Sequence, residues 1–196
     1  MSATPPAWAE RLLRAFLGSG AFDSVSGDLL EEYRDTVHPR LGQQEADAWY
    51  IRQVLGFAWR DARVWALLFG AAFVLRTALD WRVPPIDFHT RSTVSTAFGT
   101  AILAAAGLRA SWRSGSCLAG TIAGVVTTAA AALLSLLGAG ALLAVWHDTQ
   151  TMEAIRGSGG LGEVFFLPVL MMLPGVVVGT AAGVAGAALR KIHSRS

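Results

Sequence analysis

The chain has 196 residues, 53% of them hydrophobic and 15% charged, with a formal net charge of +2. Soluble domains carry about 25% charged residues, so the composition argues against an ordinary water-soluble enzyme and for a membrane body. The mild positive balance sits beside apolar spans, which fits lipid headgroups and argues against a nucleic-acid partner.

The charges divide the chain. Sixteen of the 30 charged residues fall within positions 1–63. We therefore read an all-α protein, with a cytosolic three-helix head at 1–63 and a four-span transmembrane domain at 64–196. Cys117 is the lone cysteine, so an intrachain disulfide is excluded. Glu10, Arg11, Arg14, Asp23 and Asp28 interrupt the region where a secretory signal needs its apolar core. The first span is expected to act as the targeting signal instead.

In the head, Thr4-Pro5-Pro6 reads as a helix start. Trp8, Leu12, Leu13 and Phe16 line one expected face, and Gly18-Ser19-Gly20 is expected to break the helix. A second helix is expected from about Phe22 to His38, stopped by Pro39. It sets Phe22, Val25, Leu29, Tyr33 and Val37 on one side, and Asp28, Glu31, Glu32 and Asp35 on the other. Four carboxylates at helical spacing suggest a metal or acid/base cluster, but the plainer reading is a solvated acidic face with a Glu31/Arg34 pair. Such a face also suits a partner's basic patch.

A third helix begins after Leu41-Gly42, and residues 48–79 read as one helix, amphipathic at its start and apolar at its end. Arg52, Arg60 and Arg63 share one side with Glu45, while Tyr50, Val54, Phe57, Ala58 and Trp65 share the other. Arginines and tryptophans before an apolar span suit a cytoplasmic membrane surface. Asp61 falls on the apolar side, where it either pairs with a head arginine such as Arg11 or Arg14 or faces water.

Three ordered segments carry a family resemblance: Trp8-Ala-Glu-Arg-Leu-Leu13, Gly27-Asp-Leu-Leu-Glu-Glu-Tyr33 and Trp49-Tyr-Ile-Arg-Gln-Val-Leu55. Over about residues 5–60 the chain resembles the second type of bacterial permease prefix domain, which precedes the first span of FtsX-like ABC-exporter permeases. The resemblance implies a tie to an ABC-type permease or ATPase, with Asp28, Glu31, Glu32, Tyr33, Trp49, Tyr50 and Arg52 as interaction candidates. The chain departs from the large permeases in having no room for their extracytoplasmic domain.

Four apolar stretches follow, at about 64–81, 93–108, 117–146 and 161–189. The first, near 18 residues, suffices for a span at ~1.5 Å per residue, and the second is short for one. The third exceeds a bilayer and is expected to tilt, protrude or break near Gly138 and Gly140. Pro168 and Pro174 are expected to kink the fourth. Arg60 and Arg63, then Arg109 and Arg113 in a short loop, then Arg190, Lys191 and Arg195 place both termini in the cytoplasm. The same arginines, Arg60, Arg63, Arg109 and Arg113, are the lipid-headgroup candidates. Trp81 and Trp146 then mark the outer interface, and Trp65 and Trp112 the inner one.

Gly120-xxx-Gly124 and Gly175-xxx-Gly179-xxx-Gly183 allow close helix packing, inside the bundle or at a homo-oligomer seam. Arg76 is the one charge inside a span, with Asp80 one turn later. Either Arg76 lines a path or the two form an outward-snorkelling pair. Thr121, Thr127, Thr128 and Ser135 are placed to satisfy backbone groups in span three. Asp87, His89, His147 and Asp148 make a metal site only if the outer loops meet; solvated loop side chains are the plainer reading. The sequence contains no P-loop, HExxH or GxSxG, and we expect no catalytic or cofactor site.

These observations favour a non-enzymatic, multi-pass inner-membrane protein. Its head is expected to interact with another membrane protein or regulate it, as an accessory or truncated relative of exporter permeases. The alternative is a small oligomeric transporter or channel-like bundle that uses Arg76.

Overall fold

The computed structural model describes residues 4–83, 88–157 and 160–193, with backbone alone at 18–20, 88, 89 and 163. All of the described secondary structure is helical. In order it comprises α1 (Ala7–Glu32), a π-turn (Tyr33–Val37), α2 (His38–Leu41), α3 (Gln43–Arg82), α4 (Phe88–Ser114), α5 (Cys117–Val145), α6 (Thr149–Gly157), α7 (Gly160–Leu170) and α8 (Met172–His193).

The expected break at Gly18-Ser19-Gly20 takes an unusual form. Helical backbone runs through these residues without interruption. Yet Tyr33 Oη lies 3.4 Å from the Thr4 carbonyl oxygen. A straight helix of this length would hold the two ends about 39 Å apart. The segment must therefore fold back on itself between Thr4 and Tyr33, although Ala7–Glu32 is helical throughout. The expected helix boundary at Pro39 is displaced. Pro39 sits in the first turn of α2, and the π-turn just before it absorbs the lost hydrogen bond and the ring clash. Gly42, at φ +79°, makes the actual stop.

The two arms and the start of α3 enclose a core of Ala9, Leu13, Phe22, Leu29, Tyr33, Val37, Ala46, Tyr50 and Val54. Trp8, which the helical wheel places with this face, is instead half exposed.

Helix α3 runs for 40 residues without interruption. Its buried positions Ala46, Tyr50, Val54, Ala58, Ala62 and Ala66 recur every fourth residue. At 3.6 residues per turn each such step advances about 40°, so the stripe winds roughly 200° between Ala46 and Ala66. One helix thus offers one side to the head and nearly the opposite side to the bundle.

Four helical segments are long and apolar enough to cross a membrane: α3, α4, α5, and α7 with α8 taken together. Three expectations change here. Span two is a full 27-residue helix, so Arg109 and Arg113 lie on its last turns, and only Gly115 and Ser116 separate α4 from α5. Span three does not break near Gly138 or Gly140. Gly138 packs on Val74, where an added Cβ would come within 2.4 Å of a Val74 methyl. The stretch between spans three and four, read as an outer loop, holds α6. The fourth span is interrupted at Met171, between Pro168 and Pro174, as its prolines predict.

Burial along α5 runs opposite to that of a water-soluble core. The interior of α5 is Ala119, Gly120, Ala123, Gly124, Thr127, Thr128, Ala131, Ala132, Ser135 and Ala139. Leu133 and Leu137 of the same helix point away, 64% and 72% exposed. Small residues inside and a large apolar exterior are what a bundle surrounded by lipid requires.

Candidate functional site

Three places gather the polar side chains: the head, the turn between α4 and α5, and the far end of the bundle.

In the head, Tyr33 Oη donates to Asp47 Oδ1 at 2.6 Å. The Gln43 amide donates to Tyr33 Oη at 2.9 Å and to both Asp47 oxygens at 3.0 and 3.1 Å. The same amide lies 3.4 Å from the Thr4 carbonyl, so the network ties the N-terminal segment to the start of α3. Burial, with the Asp47 carboxylate adding to it, pushes the Tyr33 phenol up to about 12. Tyr50 stacks edge-on against Tyr33 at 5.9 Å between centroids. Burial, helped by the Glu10 charge, raises its phenol too.

Tyr33 and Tyr50 are thus fully buried core residues, not contact surface. The other interaction candidates lie further out. Asp28, Glu31, Glu32 and Arg52 are exposed, and Trp49 is half-buried. Arg52 Nε donates to the Ala48 carbonyl at 3.3 Å.

At the α4–α5 turn, Asp61 pairs with Arg113 of α4 rather than with Arg11 or Arg14 of the head. Helix α3 continues past the head, so Asp61 reaches the bundle's own end instead. Arg190 Nη1 donates to the Arg113 carbonyl at 2.7 Å, which pins α8 beside the turn. Gly115, at φ +78°, lets this happen, because a Cβ there would lie 2.9 Å from the same guanidinium nitrogen. Of the headgroup candidates, Arg60, Arg63 and Arg109 are exposed, and Arg60 lies over the Phe57 ring at 5.5 Å. Trp65 is half-buried and Trp112 exposed.

The packing glycines meet inside the bundle. Built Cβ atoms would come 2.4 Å from the Gly175 carbonyl oxygen at Gly124, 2.8 Å from that of Gly120 at Gly179, and 2.7 Å from that of Cys117 at Gly183. At Gly120 the built atom would lie 2.5 Å from the Gly183 Cα, and at Gly175 2.4 Å from the Thr128 methyl. Gly107 and Gly186 extend the contact to α4, where built atoms would fall 2.8 Å from the Gly179 oxygen and 2.6 Å from the Leu108 oxygen. The three backbones therefore touch, and any side chain would part them. Gly107 and Gly186 lie outside the four-residue repeat that marks the other five. Thr128 and Ser135 donate to the carbonyls of Gly124 and Ala131, at 2.8 and 2.7 Å. Thr121 instead meets Thr180 across the helix interface at 3.0 Å.

At the far end, Arg76 Nε and Asp80 Oδ2 form the expected pair at 3.4 Å. The other Asp80 oxygen accepts from Arg91 Nη1 of α4 at 3.0 Å. Arg91 also donates to the Val83 carbonyl at 3.1 Å. With span two expected to start at about 93, Arg91 falls in the loop before it, whereas α4 starts at Phe88 and carries it. Beside this triad opens an apolar cavity of about 840 Å³ between α3 and α4, with Leu167, Met171 and Pro174 of the fourth span also lining it, and it reaches inward past Phe69, Phe98 and Leu103.

Asp148 caps α6, accepting from the Thr151 backbone N–H at 2.9 Å, and pairs with Arg82 at 2.9 Å. The Thr151 N–H, with Arg82 assisting, holds its carboxyl below the usual range. Arg82 also lies over the Trp146 ring at 4.6 Å. Trp81 is buried against Ile155 instead of facing lipid. Of the four outer-loop residues weighed as metal ligands, Asp87 and the His89 side chain lie outside the described residues. No cluster of three His, Cys, Asp or Glu occurs among those described.

No family model, curated protein or solved structure matches this chain.

Proposed function

We propose that the chain is a non-enzymatic multi-pass protein of the bacterial inner membrane with both termini in the cytoplasm. In this reading its folded head docks on another membrane protein, an ABC-type permease or its ATPase, and passes that contact into the bilayer. The observation that carries the proposal is α3. Its first half closes the head core through Ala46, Tyr50 and Val54, and its second half closes the bundle through Phe69 and Gly70. A single unbroken helix transmits rotation and tilt where a flexible linker would lose them. The three segments that resemble permease prefix domains lie on this head, and the exposed carboxylates Asp28, Glu31 and Glu32 form a face suited to a basic partner surface.

Orientation is tested by cysteine labelling in a Cys117→Ser background. A cysteine at Gln150 is expected to react from outside, and one at Glu45 only after permeabilisation; the reverse pattern refutes the topology. Coupling is tested by affinity purification from native membranes. We expect an ATPase or permease to co-purify with the unaltered protein, and reversal of Asp28, Glu31 and Glu32 to lysine to release it. A Gly-Gly insertion after Arg60 is expected to leave binding intact and abolish any transmitted effect. Solute transport by the protein alone in vesicles, lost in Arg76→Ala, would instead favour the transporter reading.

A further inference from the structure

The cavity between α3 and α4 is open along its side, and its walls are almost wholly apolar. From Val83 to Phe69 it follows 14 residues of α3, about 21 Å of helix. One leaflet of hydrocarbon is roughly 15 Å deep. The groove is therefore long enough for one acyl chain lying along the bilayer normal. Val94, 63% exposed, and Phe98, 57% exposed, form part of its wall.

The mouth of the groove is charged. Arg76 and Arg91 both line it, each three-quarters or more buried, and both contact the one carboxylate of Asp80. Two guanidiniums against one carboxylate leave a net positive charge among the described residues at this end. Arginine presents a planar fork of donors that suits phosphate oxygens. A positive mouth above an apolar slot has the polarity of an anionic amphiphile, headgroup first.

We propose that this groove binds one anionic phospholipid, its phosphate on Arg76 and Arg91 and one acyl chain lying between α3 and α4. The inference requires that the four apolar helices cross a bilayer, and it is independent of what the head binds. The lipid would complete the α3–α4 side of the bundle, which protein contacts leave open. Asp80 holds the two guanidiniums in place and tempers their charge.

The test is native mass spectrometry of the full chain, stripped of lipid in detergent and titrated with palmitoyl-oleoyl phosphatidylglycerol or the matching phosphatidylcholine. One phosphatidylglycerol is expected to be retained per chain in preference to phosphatidylcholine. Arg91→Gln and the groove-filling Val94→Trp should each weaken retention roughly tenfold. Leu137→Trp, on an outward face away from the groove, should not. Asp80→Asn removes the opposing charge and should tighten retention, a gain that misfolding cannot mimic. Equal retention of the two lipids, or retention unchanged in both Arg91→Gln and Val94→Trp, would overturn the proposal. So would displacement of the lipid by inorganic phosphate alone, which would mark a free-anion site. Dimers that Val94→Trp splits into monomers would place a second copy in the groove and also overturn it.

Discussion

The head and the bundle are both helical, but they are packed on opposite rules. In the head the interior is large, with Leu13, Phe22, Tyr33, Tyr50 and Val54 buried together and the charges outside. Along α5, in the middle of the bundle, the buried residues are Ala, Gly, Ser and Thr, and Leu133 and Leu137 face out. The contrast follows from the solvent. Water drives large apolar surface inward at about 25 cal/mol per Å². Lipid gives little such drive, so helices associate by close backbone contact, and small side chains are what allow it. The same residue type therefore has opposite consequences in the two regions.

The largest expected effect is in the bundle interior. Gly124→Leu must place a side chain where even a Cβ would lie 2.4 Å from the Gly175 carbonyl oxygen. Backbone cannot yield as a flexible side chain does. The cost should exceed the ~1–3 kcal/mol of ordinary overpacking, and thermal unfolding in detergent should show no native transition. Leu137→Ala, on the outward side of the same helix, should stay within about 0.5 kcal/mol. If the two variants behave alike, the inside-out reading of the bundle is wrong.

In the head the sign of the comparison reverses. Leu13→Ala removes a fully buried side chain from a core that relies on burial. It should cost about 2–5 kcal/mol, read as earlier proteolysis within residues 1–54 while the bundle remains protected. A loss below about 1 kcal/mol would mean that the head core does not hold itself together.

How much of this was legible in the sequence follows from the same contrast. The four spans, the kinked fourth span and the Arg76/Asp80 pair could be read because composition and spacing along one helix determine them. The buried face of the second arm, from Val25 through Val37, was legible for the same reason. Contacts between segments were not. For Asp61 the sequence offers a head arginine or water, but its partner is Arg113, 52 positions away. Asp80 has a second partner, Arg91, that only the packing of α4 on α3 supplies. The helical wheel places Trp8 beside Leu13 because it counts hydrophobicity, whereas the fold buries Leu13 with Ala9 and leaves Trp8 half exposed. Helix α6 was missed because its nine residues, five of them polar, sit beside a Gly-rich stretch and read as a loop.

A smaller effect tests the head's polar seam. Tyr33→Phe keeps the ring and removes the proton donated to Asp47, which should cost about 1 kcal/mol. Its pH dependence is distinctive. The folded phenol titrates near 12 against an ordinary 10.0, so its contribution is fully present below about pH 10. It is lost as the pH rises from there towards 12. The unaltered head should loosen in alkali over that window, followed by tyrosinate absorbance, and Tyr33→Phe should remove that component. A phenol titrating near its ordinary value would contradict the buried network.

The smallest effect asks whether packing style follows domain or depth. The far end of the bundle buries Trp81 and Ile155 together, with Trp146 packed on them, large side chains like those of the head. If depth decides, this end lies where water returns, and its small polar caps should behave as they do in soluble proteins. Asp148 is the place to measure it. Its carboxyl is held below the usual range chiefly by the Thr151 backbone N–H, so the cap's contribution is present above the ordinary carboxylate pKa. It is lost only as the pH falls through the lowered folded value. The protection factor of the Thr151 amide should stay high at pH 5 and fall in stronger acid. Asp148→Ala should make it low at every pH while the amides of α5 keep their protection. If the exposed cap is removed and Thr151 does not respond, the outer layer is held by Trp81 and Ile155 alone, and large-residue packing at that end needs no help from water-facing polar groups.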